Sequence, residues 1–264
     1  LFFAMRLYRQ NLLTIGDFYR QRFGKGVEVF CSLAIILSYL GWVAAQITAL
    51  GLVFSVLTDG AMSETAGMIV GTLAVLIYVV VGGFLAVAWT DFIQMIVLVI
   101  GLSIIAVFSA DLAGGADKVL AAVQQKDLWK FLPEPGFKDV AFFIAAAITM
   151  MLGSIPQQDV FLRVMSARDA KTARNGAVIG GISCVLFAFV PMFIVASAVV
   201  VMGQQALDIA KDDYQRLLPT FVLGKMPLVM QILFFGALLS AIKSTSSATL
   251  LAPRISGLVL ALAY

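Results

Sequence analysis

From Val29 to Leu57 no charged side chain interrupts the chain. Five more apolar runs follow, at Ala66–Val81, Phe92–Leu112, Val140–Pro156, Ala177–Met202 and Leu228–Ala252. A helix that crosses a bilayer needs about 20 predominantly apolar residues, and six such runs leave too little polar sequence to cover a soluble surface. Charged residues are 12% of the chain and hydrophobic ones 61%, against roughly 25% charged in an ordinary soluble domain. The chain therefore reads as an all-α membrane protein with several spans. The first run is longer than a bilayer requires, which predicts a tilted helix. Both ends lie in apolar sequence: Leu1–Tyr8 reads as the tail of an earlier span, and Ile255–Tyr264 as the end of the last helix or the start of another element. The chain is expected to be a single transmembrane core over 1–264, incomplete at both ends.

Charge alternates between the loops. Between Arg6 and Lys25, five basic residues (Arg6, Arg9, Arg20, Arg22 and Lys25) oppose the single acid Asp17, and Arg163, Arg168, Lys171 and Arg174 follow the fourth run. By the positive-inside rule both loops, about 9–27 and 159–175, are cytoplasmic. Four spans separate them, an even number, which agrees. The loops at about 58–65, 113–139 and 203–226 are then extracellular. Two of these carry helical spacing, Ala116–Lys130 and Gln205–Leu218 ending at Pro219, and read either as solvated surface helices or as a lid over a translocation path. This pattern places the chain in a cell inner (plasma) membrane, with the lipid bilayer as its first partner.

The same sequence excludes other classes. Histidine, the commonest general base and metal ligand, is absent, and Cys31 and Cys184 lie far apart within apolar runs. A net charge of +3 does not suggest nucleic acid. Neither a nucleophile–base constellation nor a thiolate pair is present, so no enzyme and no organic cofactor is expected.

Function is sought instead in the polar residues inside the membrane, where an ionisable side chain costs at least ~2.5 kcal/mol. The first such feature is Gly82-Gly83…Thr90-Asp91. The glycines permit a tight turn between two spans, and Asp91 then either caps the next helix or faces the bundle interior to bind a cation. The second is Ala241-Ile242-Lys243-Ser244-Thr245-Ser246-Ser247. Hydroxyls in a membrane helix usually bond back to their own helix or to a neighbour, but four in succession exceed that need, and an all-oxygen set suits a hard cation such as Na⁺. Lys243 within this run can snorkel, pair with an acid or act as a tethered cation. The third is Met150-Met151-Leu152-Gly153-Ser154-Ile155-Pro156-Gln157-Gln158-Asp159. It is either a helix end or a helix broken around a cavity, the kind of place where transporters hold substrate. Gln46, in the middle of the first run, makes an interhelical hydrogen bond or a ligand contact.

These stretches, in this order and spacing, resemble the sodium/solute symporter family of proline, sugar, pantothenate, choline and sialic acid carriers. The resemblance is carried by Thr14-Ile15-Gly16-Asp17-Phe18…Arg22-Phe23-Gly24, Tyr78…Gly82-Gly83-Phe84…Trp89-Thr90-Asp91…Gln94, Gly153-Ser154-Ile155-Pro156-Gln157…Arg163-Val164-Met165-Ser166-Ala167 and Ala241-Ile242…Ser244-Thr245…Leu250-Leu251-Ala252. It implies a LeuT-type core of two inverted five-helix repeats, of which this chain would hold the end of core helix 2 through core helix 8. It implies Na⁺ as coupling ion, bound by the Ala241 carbonyl and the Ser244 and Thr245 hydroxyls. A second sodium site, which some members have, maps onto Asp91 and Ser247, with Ala248 at the other hydroxyl position and Lys243 nearby. The substrate-facing positions of the broken helix map onto Met150, Gly153, Ser154 and Gln157, with Gln46 as a further candidate. The aromatic gate that several members carry there is missing, and Pro253 and Arg254 depart from the small or polar residues expected after Leu250-Leu251-Ala252. The expected activity is sodium-coupled symport of a small polar organic solute by alternating access. Alternatives are a transporter-like sensor domain of a signalling kinase and a proton-coupled carrier.

Overall fold

A computed structural model of the chain describes residues 4–125, 132–153, 155 and 157–263, with side chains as far as 251. Every regular element in it is helical. In order these are α1 (Ala4–Tyr8), α2 (Ile15–Phe23), α3 (Lys25–Leu57), α4 (Glu64–Leu112), α5 (Ala116–Gln125), α6 (Phe137–Gly153), α7 (Gln158–Met165), α8 (Ala170–Met202), α9 (Gln204–Asp213), α10 (Leu217–Lys225) and α11 (Leu228–Ala263), with a 3₁₀ turn at Tyr214–Arg216. Among the described residues α3, α4, α8 and the Leu228–Leu251 part of α11 are long and apolar enough to cross a membrane. The pair α6–α7, bent by 44° at its break, makes a fifth.

Helix α4 has 49 residues, about 73 Å if straight, more than twice the ~30 Å hydrocarbon core. It is not straight. Gly83 sits at φ 61°, ψ −166° inside it, a conformation essentially reserved for glycine. The Tyr78 hydroxyl donates to the Ala86 carbonyl at 2.7 Å and pairs with the Thr90 hydroxyl. Residues 12 apart in a straight helix are about 18 Å apart along the axis, so these bonds require the chain to fold back on itself at Gly83. The turn expected at Gly82-Gly83 is therefore present, with two apolar arms on either side of it.

The chain divides into two compact units, each built from non-consecutive stretches. One comprises Leu1–Ala45, Phe131–Ser183 and Ser246–Tyr264; the other comprises Gln46–Lys130 and Cys184–Thr245.

In the first unit, Thr14 and Asp17 form a capping box that starts α2, satisfying two donors that the helix leaves without partners. Leu12 and Ile15 bury with Phe161 of α7, and Leu7, Phe18, Tyr19, Ile35 and Met165 pack around them. Burial raises the Tyr19 phenol above its ordinary pKa, and the Cys31 thiol adds to the shift. Glu28, 1% exposed, lies 3.7 Å from the Arg20 guanidinium. A Cβ on Gly16 would stand 2.7 Å from the Ser32 hydroxyl, so α2 and α3 approach closely there.

In the second unit, the end of α3 meets the first arm of α4 almost backbone to backbone. A Cβ on Gly51 would stand 2.6 Å from the Glu64 carbonyl oxygen, and one on Gly67 would stand 3.2 Å from the Gly51 Cα. Small residues at helix crossings are how membrane helices gain dispersion contact without a hydrophobic drive between them. The second arm of α4 passes α11 at Gly101, 3.4 Å from the Ala237 methyl by the same measure. Arg216 ties the loop helices to the start of α4 through Glu64 at 2.6 Å.

Two loop helices were expected and two regions of helix are found, with one correction. Within the expected Ala116–Lys130, α5 covers Ala116–Gln125, and residues 126–131 lie outside the described set. Pro219 does not end the helix before it. α9 stops at Asp213 and α10 runs through Pro219, because Pro219 is the third residue of α10, where no intrahelical N–H bond is required.

Candidate functional site

In the second unit the elbow of α4 brings its two arms together at Tyr78 and Thr90, and α11 runs past the second arm in the opposite direction. Gly101 lies beside Ala237, and ten residues back along α4, Asp91 meets Ser244, seven residues further along α11. The Ser244 hydroxyl donates to Asp91 Oδ1 at 2.7 Å. The Thr245 hydroxyl donates to the Ala241 carbonyl at 3.0 Å, so two of the three oxygens expected to face sodium lie side by side. A hydroxyl that donates its proton in this way keeps its lone pairs for a cation. Lys243 is half-buried. Its Nζ lies 4.5 Å from the centroid of the Tyr78 ring, within cation–π range. Oxygen donors and a carboxylate in one cluster form a set suited to a hard monovalent or divalent cation.

Gln46 also belongs to the second unit and is half-buried on α3. Ser247 belongs to the first unit and is 1% exposed.

The first unit holds the broken helix. α6 ends at Gly153, α7 begins at Gln158, and their axes differ by 44°. Met150 and Gly153 lie on an exposed face of α6, and a Cβ on Gly153 would meet nothing within 4 Å. Gln157 is half-buried at the N-cap of α7 and makes no side-chain cap bond. Ser154 and Pro156 lie outside the described residues.

The structure gives partners to Gln158 and Asp159, which the sequence placed in this stretch without assigning them any, and adds Tyr39. Gln158 is fully buried. Its Oε1 accepts from the Ile15 N–H at 2.9 Å, while its Nε2 has no partner among the described residues. Asp159 pairs with the Tyr39 hydroxyl, returns its own N–H to that oxygen at 3.1 Å, and takes Arg163 at 3.3 Å. Together these contacts pin the start of α7 to α2 and α3. The available signal was polar residues directly after a helix break, but their partners lie 143 and 120 residues away.

An all-helical chain with several apolar helices, one elbowed and one broken, has the architecture of a polytopic membrane protein. A profile of the sodium:solute symporter family matches residues 1–256, and the chain belongs to that family. It is 27% identical over 256 residues to the high affinity choline transporter 1 of Homo sapiens, covering 95% of this chain and 44% of that protein. It is 28% identical over 254 residues to the sodium/pantothenate symporter of Haemophilus influenzae, covering 94% and 50%. A third relative, the high-affinity proline transporter PutP of Bacillus subtilis, is 27% identical over 173 residues, covering 64% and 36%. The chain thus spans about half the length of the curated relatives it matches. Family membership and the apolar helices make it a multi-pass plasma-membrane protein of a transporter family, not an enzyme.

Proposed function

We propose that the full-length protein is a sodium-coupled symporter of a small polar organic solute, and that Na⁺ binds at the Ala241 carbonyl and the Ser244 and Thr245 hydroxyls. The observation that carries this reading is the oxygen cluster on α11, where Thr245 lies 3.0 Å from the Ala241 carbonyl and Ser244 lies 2.7 Å from Asp91. A carbonyl, two hydroxyls and a nearby carboxylate replace the hydration shell of a hard cation, and the partial negative charge concentrated there disfavours an anion. Relatives named for choline, pantothenate and proline support a charged or zwitterionic organic solute. They also favour a carrier over a sensor or a proton-driven variant.

Substrate would bind at the break between α6 and α7, with Met150, Gly153, Ser154 and Gln157 as the positions offered to it. Backbone groups freed at such a break can act as ligands where they line a cavity. A LeuT-type inverted repeat, with alternating access about these sites, is the architecture that the elbow and the break support. Coupling needs no covalent step. One charge crossing 100 mV supplies about 2.3 kcal/mol, roughly a 50-fold concentration ratio.

A thermal-shift screen of the purified full-length protein against amino acids, carboxylates, polyols and quaternary amines, with and without Na⁺, identifies the solute. Uptake into proteoliposomes is then measured with Na⁺ replaced by N-methylglucamine at several pH values, for the wild type and for Ser244→Ala and Thr245→Ala. Uptake is expected to require Na⁺, and each substitution to weaken that dependence. Uptake indifferent to Na⁺, or unchanged sodium dependence in both variants, refutes the assignment.

A further inference from the structure

The first unit gathers two basic stretches that four apolar runs separate in sequence. Residues 1–28 and 157–176 hold nine lysines and arginines against four acids. Leu12, Ile15 and Phe161 cluster between them, with Leu7 and Met165 packed alongside, and the Gln158–Ile15 bond fixes the same contact. Each acid is already engaged. Asp17 accepts from the Leu13 and Thr14 N–H groups. Glu28 is buried beside Arg20. Asp159 pairs with Tyr39 and Arg163, and Asp169 accepts from the Thr172 N–H and lies 3.4 Å from Arg168. Among the described residues Arg6, Arg9, Arg22, Lys171 and Arg174 are exposed and make no ion pair. This surface therefore carries positive charge that the chain itself does not compensate. Large apolar side chains stand among the charges: Leu13, just before α2, is 73% exposed, and Phe23, at its end, 58%. Gly24, at φ 89°, closes α2 before α3 begins at Lys25, so α2 is a separate short helix at the foot of the span. Basic residues beside exposed Leu and Phe on such a helix are the pattern of an element lying in the bilayer interface.

We infer that this face, built from α1, α2, the end of α7 and the start of α8, binds the headgroups of anionic phospholipids in the bilayer that the chain spans. Arg22, Lys171 and Arg174 take the headgroup phosphate, arginine through parallel N–H groups and lysine as a point charge. Leu13 and Phe23 enter the acyl-chain boundary beside it. The positive-inside rule makes this face cytoplasmic, and the cytoplasmic leaflet is the one that attracts basic clusters next to a span. A headgroup phosphate and a free phosphate offer these residues the same chemistry; the apolar pair selects the lipid. Lipid bound here bears on the broken span, because the Ile15 N–H of α2 holds Gln158, the first residue of α7, at 2.9 Å. The inference needs neither the sodium site nor the solute and stands apart from both.

The test titrates the purified full-length protein, in a neutral detergent, with phosphatidylglycerol, with phosphatidylcholine of the same acyl chains, or with inorganic phosphate. Bound lipid is counted by native mass spectrometry, and the melting temperature is followed in parallel. Phosphatidylglycerol is expected to bind and to raise the melting temperature; phosphatidylcholine and inorganic phosphate are expected to do neither. Each of Arg22→Gln, Lys171→Gln and Arg174→Gln is expected to weaken phosphatidylglycerol binding about fivefold, and the three together about a hundredfold. Leu13→Ser with Phe23→Ser is expected to weaken it as well. Lys118→Gln with Lys211→Gln, on α5 and α9 of the other unit, is expected to leave it unchanged. These substitutions are at exposed positions, and Arg22→Lys with Arg174→Lys, which keeps the charge, is expected to retain most of the binding. In hydrogen exchange, phosphatidylglycerol should protect residues 13–25 and 158–165 of the wild type but not of the triple variant. Equal binding of the two lipids, or a triple variant that binds as tightly as the wild type, overturns the inference. A phosphate effect as large as that of phosphatidylglycerol overturns the lipid and leaves a free-anion site. Binding of neither lipid overturns it also and leaves the face to an acidic partner.

Discussion

Replacing Tyr39 by phenylalanine removes one oxygen from the contact that holds α7 in place, and the expected cost follows from what that oxygen does. It donates to the Asp159 carboxylate and accepts the Asp159 N–H at 3.1 Å. A hydrogen bond to a charged group contributes about 1.5–3 kcal/mol and a neutral one about 0.5–1.5. The Asp159 carboxylate keeps Arg163 at 3.3 Å, but that guanidinium is 48% exposed, and an exposed pair offsets less than ~1 kcal/mol. The loss is therefore about 2–4 kcal/mol of local stability at the start of α7. Phenylalanine preserves the ring, which stacks on Trp42 at 6.1 Å, so packing within α3 is left intact. Hydrogen exchange of α7 reads local opening directly. At 1.4 kcal/mol per factor of ten, amides of residues 158–165 should exchange roughly 30- to 700-fold faster in Tyr39→Phe. The measurement is exchange mass spectrometry on the full-length protein in nanodiscs. A change of less than about threefold, under 0.7 kcal/mol, would mean that the Tyr39–Asp159 pair does not hold α7, and the reasoning from these contacts would fail.

Three other outcomes are expected. Gly51→Ala places a methyl 2.6 Å from the Glu64 backbone carbonyl and should destabilise by about 1–3 kcal/mol; Gly41→Ala, whose methyl meets nothing within 4 Å, should be neutral or stabilising, as thermal melting of both variants will show. Gly83→Ala puts a side chain at φ 61°, ψ −166° and should cost about 1–3 kcal/mol, with lowered thermal stability and, if the elbow opens, faster exchange around Tyr78 and Thr90. At the start of α8, the Thr172 N–H holds the Asp169 carboxyl below its ordinary pKa, with a bond of 2.8 Å. A carboxyl with a depressed folded-state pKa stabilises above its unfolded-state value and loses that contribution as pH falls through the folded one. Protection of the first turn of α8, corrected for intrinsic exchange, should therefore decline below about pH 4, and Asp169→Asn should remove the decline.

What could be read from the sequence divides along physical lines. Hydropathy depends on each residue's own transfer free energy, so the spans within α3, α8 and α11 follow from composition alone. The elbow at Gly83 and the break after Gly153 were legible because glycine and proline act on their own backbone. The Ser244-Thr245 pair was legible because four hydroxyls in an apolar helix are unusual in themselves. Side chains whose meaning depends on a distant partner were not. Lys243 left three fates open, because helical spacing gives a direction around α11 but no neighbour in that direction, and the neighbour proved to be Tyr78. Gln158 and Asp159 read as ordinary polar residues after a break until the fold set Ile15 and Tyr39 against them. Pro219 was misread because proline stops a helix that is under way and is harmless in the first turn of a new one, and the sequence does not mark which case holds.

The conformation of Gly83 also has a consequence for how the gene can vary. Every single-nucleotide change of a glycine codon that alters the amino acid introduces a side chain or a stop, and every side chain begins with the Cβ that this backbone conformation disfavours. The positions beside it, such as Val81 and Leu85, both largely exposed, have many one-step exchanges among apolar residues that leave the helix unharmed. One codon is thus cut off from its mutational neighbours while those around it drift, and the path between Tyr78 and Thr90 that orients Asp91 passes through it.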